Sequence, residues 1–296
     1  MPEFEFLDVD EADAPGDEFE EIELEDTAAD EAGRRADREF NEFRKRIKDT
    51  EQFKLEESVF DEATYGALYD LVQDGHIVAF GGPISTGKEA NVYTALGPDD
   101  TEVAVKVYRI NASDFVDMRA YLDGDPRFQG IGSDKKKVVL AWVRKEYANL
   151  MRARKAGVRV PNPIAVERNV LVMEYLGTDE GRAKRLSEVD VENPETAFEV
   201  IREYMRRLYS AGLVHGDLSE YNVVFHDGQL VVLDLGQAVT VHHPNSREFL
   251  ERDCENVASF FGRQGLEVST DDLLAFVVDE SGDEEEGDGG HGGTDE

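Results

Sequence analysis

Leu213-Val214-His215-Gly216-Asp217-Leu218-Ser219-Glu220-Tyr221-Asn222 holds one Asp and one Asn five positions apart, in a turn-like segment with an apolar entry. The exit through Val223-Val224-Phe225 is apolar too, and twelve residues past Asn222 stands Asp234, in Val231-Val232-Leu233-Asp234-Leu235-Gly236. Between these runs lies His226-Asp227-Gly228-Gln229, whose Asp-Gly pair predicts a hairpin. That hairpin sets Asn222 and Asp234 at neighbouring ends of paired strands.

Upstream, Asn193-Pro194-Glu195 supplies an N-cap and a first-turn proline, and Phe198, Ile201, Met205 and Leu208 carry an apolar helical face on to Gly212. Residues 160–166 and 169–175 read as strands, the second running into Met173-Glu174-Tyr175-Leu176-Gly177. Residues 135–156 read as a helix with Val139, Trp142, Val143, Tyr147, Leu150 and Met151 on one face and Gly157 as its stop. Glu146 lies in that stripe, and a buried carboxylate requires a partner. Lys106, on the alternating strand 102–108, is the candidate. Residues 76–81 and 91–96 are strand-like around a glycine-containing loop at 82–90, and 111–134, with Gly124, Pro126, Gly130 and Gly132, read as a mobile loop. Earlier still, an amphipathic helix is predicted near 40–53 and another through 67–72, ending at Gly75. Two helices, near 249–261 and 271–278, finish the body.

The spacing of Asp217 and Asn222 is that of the protein-kinase catalytic loop, H-R-D-x-x-x-x-N, and Asp234-Leu235-Gly236 matches D-F-G with Leu for Phe. Gly216 stands where the loop usually has Arg. Taken singly, these residues have plainer readings: Lys106 as a surface lysine, Asp217 and Asn222 as turn formers. The ordered series is harder to obtain by chance: glycine loop, Val103-Ala104-Val105-Lys106, helical Glu146, hinge at 173–177, Asp217 with Asn222, then Asp234. It predicts an α+β, bilobal protein-kinase-like fold, with a five-stranded N-lobe carrying one helix and a reduced, mainly helical C-lobe. Gly82-x-x-x-x-Gly87-Lys88 nearly satisfies a nucleotide P-loop, but Glu89 replaces the metal-binding hydroxyl and the stretch lies between two strands rather than before a helix. His215 reads as a buttress of its loop, and His242-His243 as surface residues.

The formal charge is −34, and residues 1–32 carry fifteen acids and 279–296 nine, with no Lys or Arg in either. Residues 33–278 therefore carry only −10. Such acidic stretches bury too little apolar surface to fold alone, so 1–33 and 279–296 are expected to be disordered tails around a body at 34–278, split into lobes at about 76–176 and 177–278. The balance suits a salt-loving source and disfavours non-specific nucleic-acid binding. One cysteine, Cys254, excludes an intramolecular disulfide and a cysteine-cluster zinc site, and no apolar run reaches membrane-spanning length. A cytoplasmic protein without a membrane partner is expected.

Ser85-Thr86-Gly87-Lys88-Glu89-Ala90-Asn91-Val92-Tyr93, His215-Gly216-Asp217-Leu218-Ser219-Glu220-Tyr221-Asn222 and Asp234-Leu235-Gly236-Gln237 resemble the RIO family of atypical serine/threonine protein kinases, in the wording of its first subfamily. Gly124-Asp125-Pro126-Arg127-Phe128 and Glu248-Phe249-Leu250-Glu251-Arg252-Asp253 extend the resemblance. It implies use of ATP with Mg²⁺, and admits Mn²⁺. Lys106 would contact phosphates and pair with Glu146, the backbones of Glu174 and Leu176 would hold adenine, and Ser85, Thr86 and Lys88 would line the phosphate loop. Asp217 would be the catalytic acceptor, Asn222 and Asp234 the metal ligands, with Asp234 also a transient phosphoryl acceptor. No Ala-Pro-Glu motif follows Asp234, so the usual peptide-substrate platform is expected to be missing. The resemblance implies a part in maturation of the small ribosomal subunit, with its precursor and rRNA as partners. Lys135-Lys136-Lys137 with Arg152, Arg154, Lys155 and Arg159 would form a basic patch for that RNA, and a protein Ser/Thr substrate stays open. The competing expectation is a non-catalytic assembly factor that only binds ATP.

Overall fold

A computed structural model describes residues 42, 60–110, 115–128, 131, 134–178 and 181–279. Apart from Glu42 and Asp279, the expected helix at 40–53 and the acidic tails lie outside these residues.

Strands β1 (Ala79–Thr86), β2 (Ala90–Leu96), β3 (Glu102–Tyr108), β4 (Pro163–Glu167) and β5 (Val170–Glu174) form one antiparallel sheet in the order β1-β2-β3-β5-β4. The two-residue period of β3 divides its side chains between two faces. Val103, Val105 and Val107 pack with Leu68, Leu71 and Tyr93 in one apolar cluster, which includes helix α1 (Glu62–Gln73). Ala104, Lys106 and Tyr108 belong to the opposite face, where the cleft lies and where Tyr108 joins the core of helix α3 (Lys135–Lys155). Each of these helices starts on an aspartate that accepts a first-turn N–H, Asp61 from Thr64 at 2.7 Å and Asp134 from Lys136 at 2.8 Å.

Two expectations need correction. The loop placed at 82–90 is mostly strand: β1 runs to Thr86 through irregular pairing between Phe80 and Ser85, and only residues 87–89 turn. A Cβ on Gly81, the last residue of the stretch read as strand, would lie 2.1 Å from Thr94 Oγ1, so that glycine serves a crowded strand pair. The stretch 111–134 contains helix α2 (Phe115–Leu122) and a 3₁₀ turn at Pro126–Phe128, which pattern reading missed because its glycines and proline dominate the signal.

The second half is mainly helical. After the short pair β6 (Gly177–Thr178) and β7 (Gly181–Arg182) come α4 (Pro194–Ser210), β8 (Leu213–Val214), the hairpin β9 (Val223–His226) and β10 (Gln229–Val232), β11 (Val239–Thr240), α5 (Ser246–Arg263) and α6 (Thr270–Val278). Asn193 caps α4 by accepting the Thr196 N–H at 3.1 Å. Ile201, Met205 and Leu208 of α4 pack with Val257, Phe261 and Leu273 of the last two helices. His243 is buried and not on the surface: Asn245 N–H donates to its Nδ1 at 3.1 Å, its Nε2 meets Ala120 O at 3.2 Å, and its ring stacks on Phe249.

Candidate active site

Two short pairings bracket the loop at 215–222. β8, just before it, pairs with β11, and β9, just after it, pairs with β10 in the register Val223↔Val232. Asp227 and Gly228 close the hairpin with φ of 49° and 75°, the left-handed turn that Asp-Gly favours. Leu233 N–H then donates to Asn222 O at 2.8 Å, so Asn222 and Asp234 end up at the same end of the hairpin.

Between sheet and helices lies a cleft of about 570 Å³, whose walls include Ser85, Lys88, Lys106, Glu146, Glu174, Leu176, Asn222 and Asp234. Thr86 and Asp217 are outside that wall. One end is apolar, with Val92, Ala104, Met173, Leu176, Val224 and Leu233, which fits a flat base. The hinge is more occupied than expected. Glu174 gives its N–H to Asn162 O at 2.8 Å, and its carboxylate accepts from Arg159 at 2.6 and 2.8 Å. Leu176 uses its carbonyl on Ala183 N–H at 2.8 Å.

At the polar end, Lys106 Nζ donates to Glu146 Oε1 at 2.7 Å and to Asp234 Oδ1 at 3.1 Å. Burial alone would lower the Lys106 pKa, but Asp234 and Glu146 carry it well above the ordinary lysine value. The Lys106 charge in turn holds Asp234 below the usual carboxylate range, whereas burial raises Glu146. The Asp234 side chain stays about half exposed, open to the cleft. Its φ of 58° is left-handed, a conformation that costs a non-glycine residue about 1–2 kcal/mol and persists only where neighbours over-determine it.

Asn222 Nδ2 donates to Asp217 O at 2.8 Å and to Asp217 Oδ2 at 3.1 Å, which leaves Asn222 Oδ1 as its acceptor. That oxygen and the Asp234 carboxylate form a hard-oxygen pair of the kind Mg²⁺ takes, so the residues fit such an ion. Burial raises the pKa of Asp217, opposed by His215 and Asn222. His215 buttresses the loop: Asp217 N–H donates to its Nδ1 at 3.3 Å, and its Nε2 meets Leu233 O at 3.0 Å.

Asp253 of α5 received no role from the sequence. It is buried and accepts the N–H groups of Gly216 at 2.7 Å and Leu218 at 2.8 Å, clamping both sides of Asp217. Burial pushes its pKa up to about 6. Gly216 has φ +78°, and a Cβ there would meet Gln237 O at 3.1 Å, so the position demands glycine for the backbone as well as lacking an arginine. Tyr108 was also missed. It donates its hydroxyl to Glu146 Oε2, and its place two residues past Lys106 on one strand face was the available signal.

The cations read as one basic patch fall into separate groups. Lys135–137 begin α3 and Arg152, Arg154 and Lys155 end it, about 25 Å apart at 1.5 Å per residue, while Arg159 is held by Glu174.

A five-stranded sheet over a mainly helical half, with a lysine–glutamate pair and an Asp, Asn and Asp at the cleft, defines a protein-kinase-like fold. The family model for the RIO domain matches residues 91–273. The chain is 67% identical to the RIO-type serine/threonine-protein kinase Rio1 of Haloferax volcanii, over 97% of this chain and 99% of that one. It is 39% identical to the RIO1 kinase of Caenorhabditis elegans over 83% of this chain, spanning half of that longer protein. Among solved structures, the Rio2 kinase of Chaetomium thermophilum superposes with a TM-score of 0.57 at 22% identity, over 74% of this chain and 69% of that one. Its complex described as ADP/Mg²⁺-phosphoaspartate gives 0.54 at 22% identity, over 72% and 65%. The chain belongs to the RIO family of atypical serine/threonine-protein kinases, in the Rio1 branch. Among the described residues, no helix is long and apolar enough to cross a membrane.

Proposed function

We propose that the cleft binds Mg-ATP and transfers its γ-phosphoryl group, as kinase, ATPase or both. The observation that carries this reading is the convergence of Lys106, Glu146, Asn222 and Asp234 on one cleft, with Asp217 bonded to Asn222 beside it. Phosphoryl transfer needs positioning and neutralised charge more than covalent chemistry from the protein. Lys106 holds phosphate oxygens, kept in place by Glu146. Asn222 Oδ1 and the Asp234 carboxylate hold Mg²⁺, which supplies charge neutralisation on the phosphates. Ser85 and Lys88 cover the phosphates from β1 and its turn, the apolar end takes adenine, and Glu174 O with Leu176 N–H meets its edge. Asp217 accepts the proton of the attacking hydroxyl or water, and its raised pKa makes it the better base of the two aspartates.

Asp234 is also the acceptor of the phosphoryl group in a two-step route. A carboxylate oxygen of Asp234 forms the O–P bond while the bond from γ-phosphorus to ADP breaks and the electron pair leaves with ADP. Water, its proton passing to Asp217, then cleaves the acyl phosphate to inorganic phosphate and restores Asp234. The phosphoaspartate of the Rio2 complex from Chaetomium thermophilum supports this route. The family likeness further supports a role at the small ribosomal subunit precursor, where the two cation groups on α3 offer contacts to rRNA phosphates.

Incubation with γ-labelled ATP and Mg²⁺ in high salt tests the reading. Labelled phosphate or phosphoprotein is expected, and ATP binding without either would favour the non-catalytic assembly factor. ATP-dependent co-sedimentation with small-subunit precursors checks the partner.

A further inference from the structure

The metal loop at residues 234–238 has little backbone support. Among the described bonds, its internal one runs from Ala238 N–H to Leu235 O at 3.2 Å. Three of its carbonyls, those of Leu235, Gly236 and Ala238, are held by side chains from helix α3. Lys145 Nζ donates to Gly236 O at 2.8 Å, and Asn149 Nδ2 donates to Leu235 O at 3.0 Å and Ala238 O at 2.9 Å. Lys145 and Asn149 are both fully buried. Residues 145 and 149 are one helical turn apart, and Glu146 beside them reaches Lys106, so a single helix carries the catalytic ion pair and the supports of the metal loop.

The chain of contacts continues away from the cleft. Asn149 Oδ1 accepts from Arg127 Nη1 at 3.0 Å, which fixes the orientation of the amide, so both Nδ2 hydrogens face the loop. Arg127 is itself held by the buried Asp125 carboxylate through Nη2 at 2.7 Å and Nε at 3.0 and 3.2 Å. Neither Arg127 nor Asn149 nor Lys145 lines the cleft.

We propose that Arg127, Asn149 and Lys145 are positioning residues that hold the metal loop so that Asp234 keeps its left-handed backbone and its place beside Lys106 and Asn222. The turn at 125–127 thereby sets metal affinity from outside the cleft. A loop held by side chains rather than by a ladder loses its shape when one donor goes, and a displaced Asp234 loses metal before it loses nucleotide, because adenine is held elsewhere. The inference rests on the Mg-ATP reading above.

Trp142 is the single tryptophan, and its Nε1 would lie 3.0 Å from a Cβ on Gly236, so its fluorescence reports on the metal loop. The experiment titrates Mg²⁺ into the full-length protein saturated with ADP and follows Trp142 emission, for wild type, Asn149→Leu and the milder Arg127→Lys. Metal-free ADP affinity in EDTA and the melting temperature are measured alongside. The Mg²⁺ midpoint is expected to rise at least tenfold in Asn149→Leu and about threefold in Arg127→Lys, with metal-free ADP affinity within twofold of wild type. Unchanged midpoints in a folded Arg127→Lys, with only a lower melting temperature, would overturn the inference and leave a packing role. A wild type that binds ADP but shows no Mg²⁺ transition would overturn the metal reading itself, and the inference with it.

Discussion

Tyr108 donates its hydroxyl to Oε2 of Glu146, while Lys106 occupies Oε1 at 2.7 Å. Both oxygens of a buried carboxylate are thus satisfied, one by a cation and one by a neutral donor. Tyr108→Phe removes the second and leaves a buried acceptor unpaired, at a cost of about 1–3 kcal/mol. A melting temperature lowered accordingly is expected, with a several-fold higher KM for ATP because Glu146 no longer holds Lys106 at one angle. Unchanged values for both would show that the bond does no positioning.

Lys106→Met leaves Glu146 buried without its cation, and breaking such a pair costs about 3–5 kcal/mol. Burial already raises the Glu146 pKa, and without Lys106 it rises further, so the folded variant takes up a proton that the unfolded chain lacks. Its stability deficit against wild type is therefore expected to grow as pH rises from 5 to 8. Denaturant unfolding at three pH values measures this, and a deficit independent of pH would contradict it.

Asp253 carries a second pH signature. Its folded pKa is about 6 against about 3.9 for an unfolded aspartate. Between those values the folded state holds a proton that the unfolded state has released, so this group lowers stability as pH rises from about 4 to 6, by about 1.4 kcal/mol per pH unit. Asp253→Asn abolishes that slope, visible as the difference between the two unfolding curves. It also turns an amide N–H₂ toward one of the two backbone donors at Gly216 and Leu218, and turnover is expected to fall at least tenfold while ATP binding persists.

Gly216→Ala tests the backbone at the catalytic stretch. A left-handed φ of +78° and a Cβ 3.1 Å from Gln237 O are expected to cost about 1–2 kcal/mol of stability. Gly216→Arg, the residue that ordinary kinase loops carry here, is expected to cost more and to lower kcat. An arginine variant as stable as wild type would show that the position is open.

Much of this fold was legible because its signals are local. Strand alternation at 102–108, the apolar stripe around Glu146, the Asp227-Gly228 turn and the Asn193-Pro194 start each follow from neighbouring residues. The pairing of Lys106 with Glu146, 40 positions apart, was reachable because a carboxylate in an apolar stripe demands a cation. Asp253 was not, since an aspartate on a helix gives no sign that it points at two backbone N–H groups 35 and 37 residues away. Lys145 and Asn149 were hidden for the same reason: their partners are backbone carbonyls, which every residue has. The strand within 82–86 was obscured because Gly82 and Pro83 signal a turn, whereas here they lie in a strand whose pairing is irregular.

The central claim is that Asp217, Asn222 and Asp234 transfer the γ-phosphoryl group, and single turnover with γ-labelled ATP and Mg²⁺ in high salt tests it most directly. The expected result is a labelled wild-type protein that is stable in acid and loses its label to hydroxylamine. No such label should form in Asp234→Asn, and Asp217→Ala should bind ATP normally but not turn over. Wild-type turnover by Asp217→Ala, or a hydroxylamine-resistant label that survives in Asp234→Asn, would contradict the roles assigned to these two aspartates.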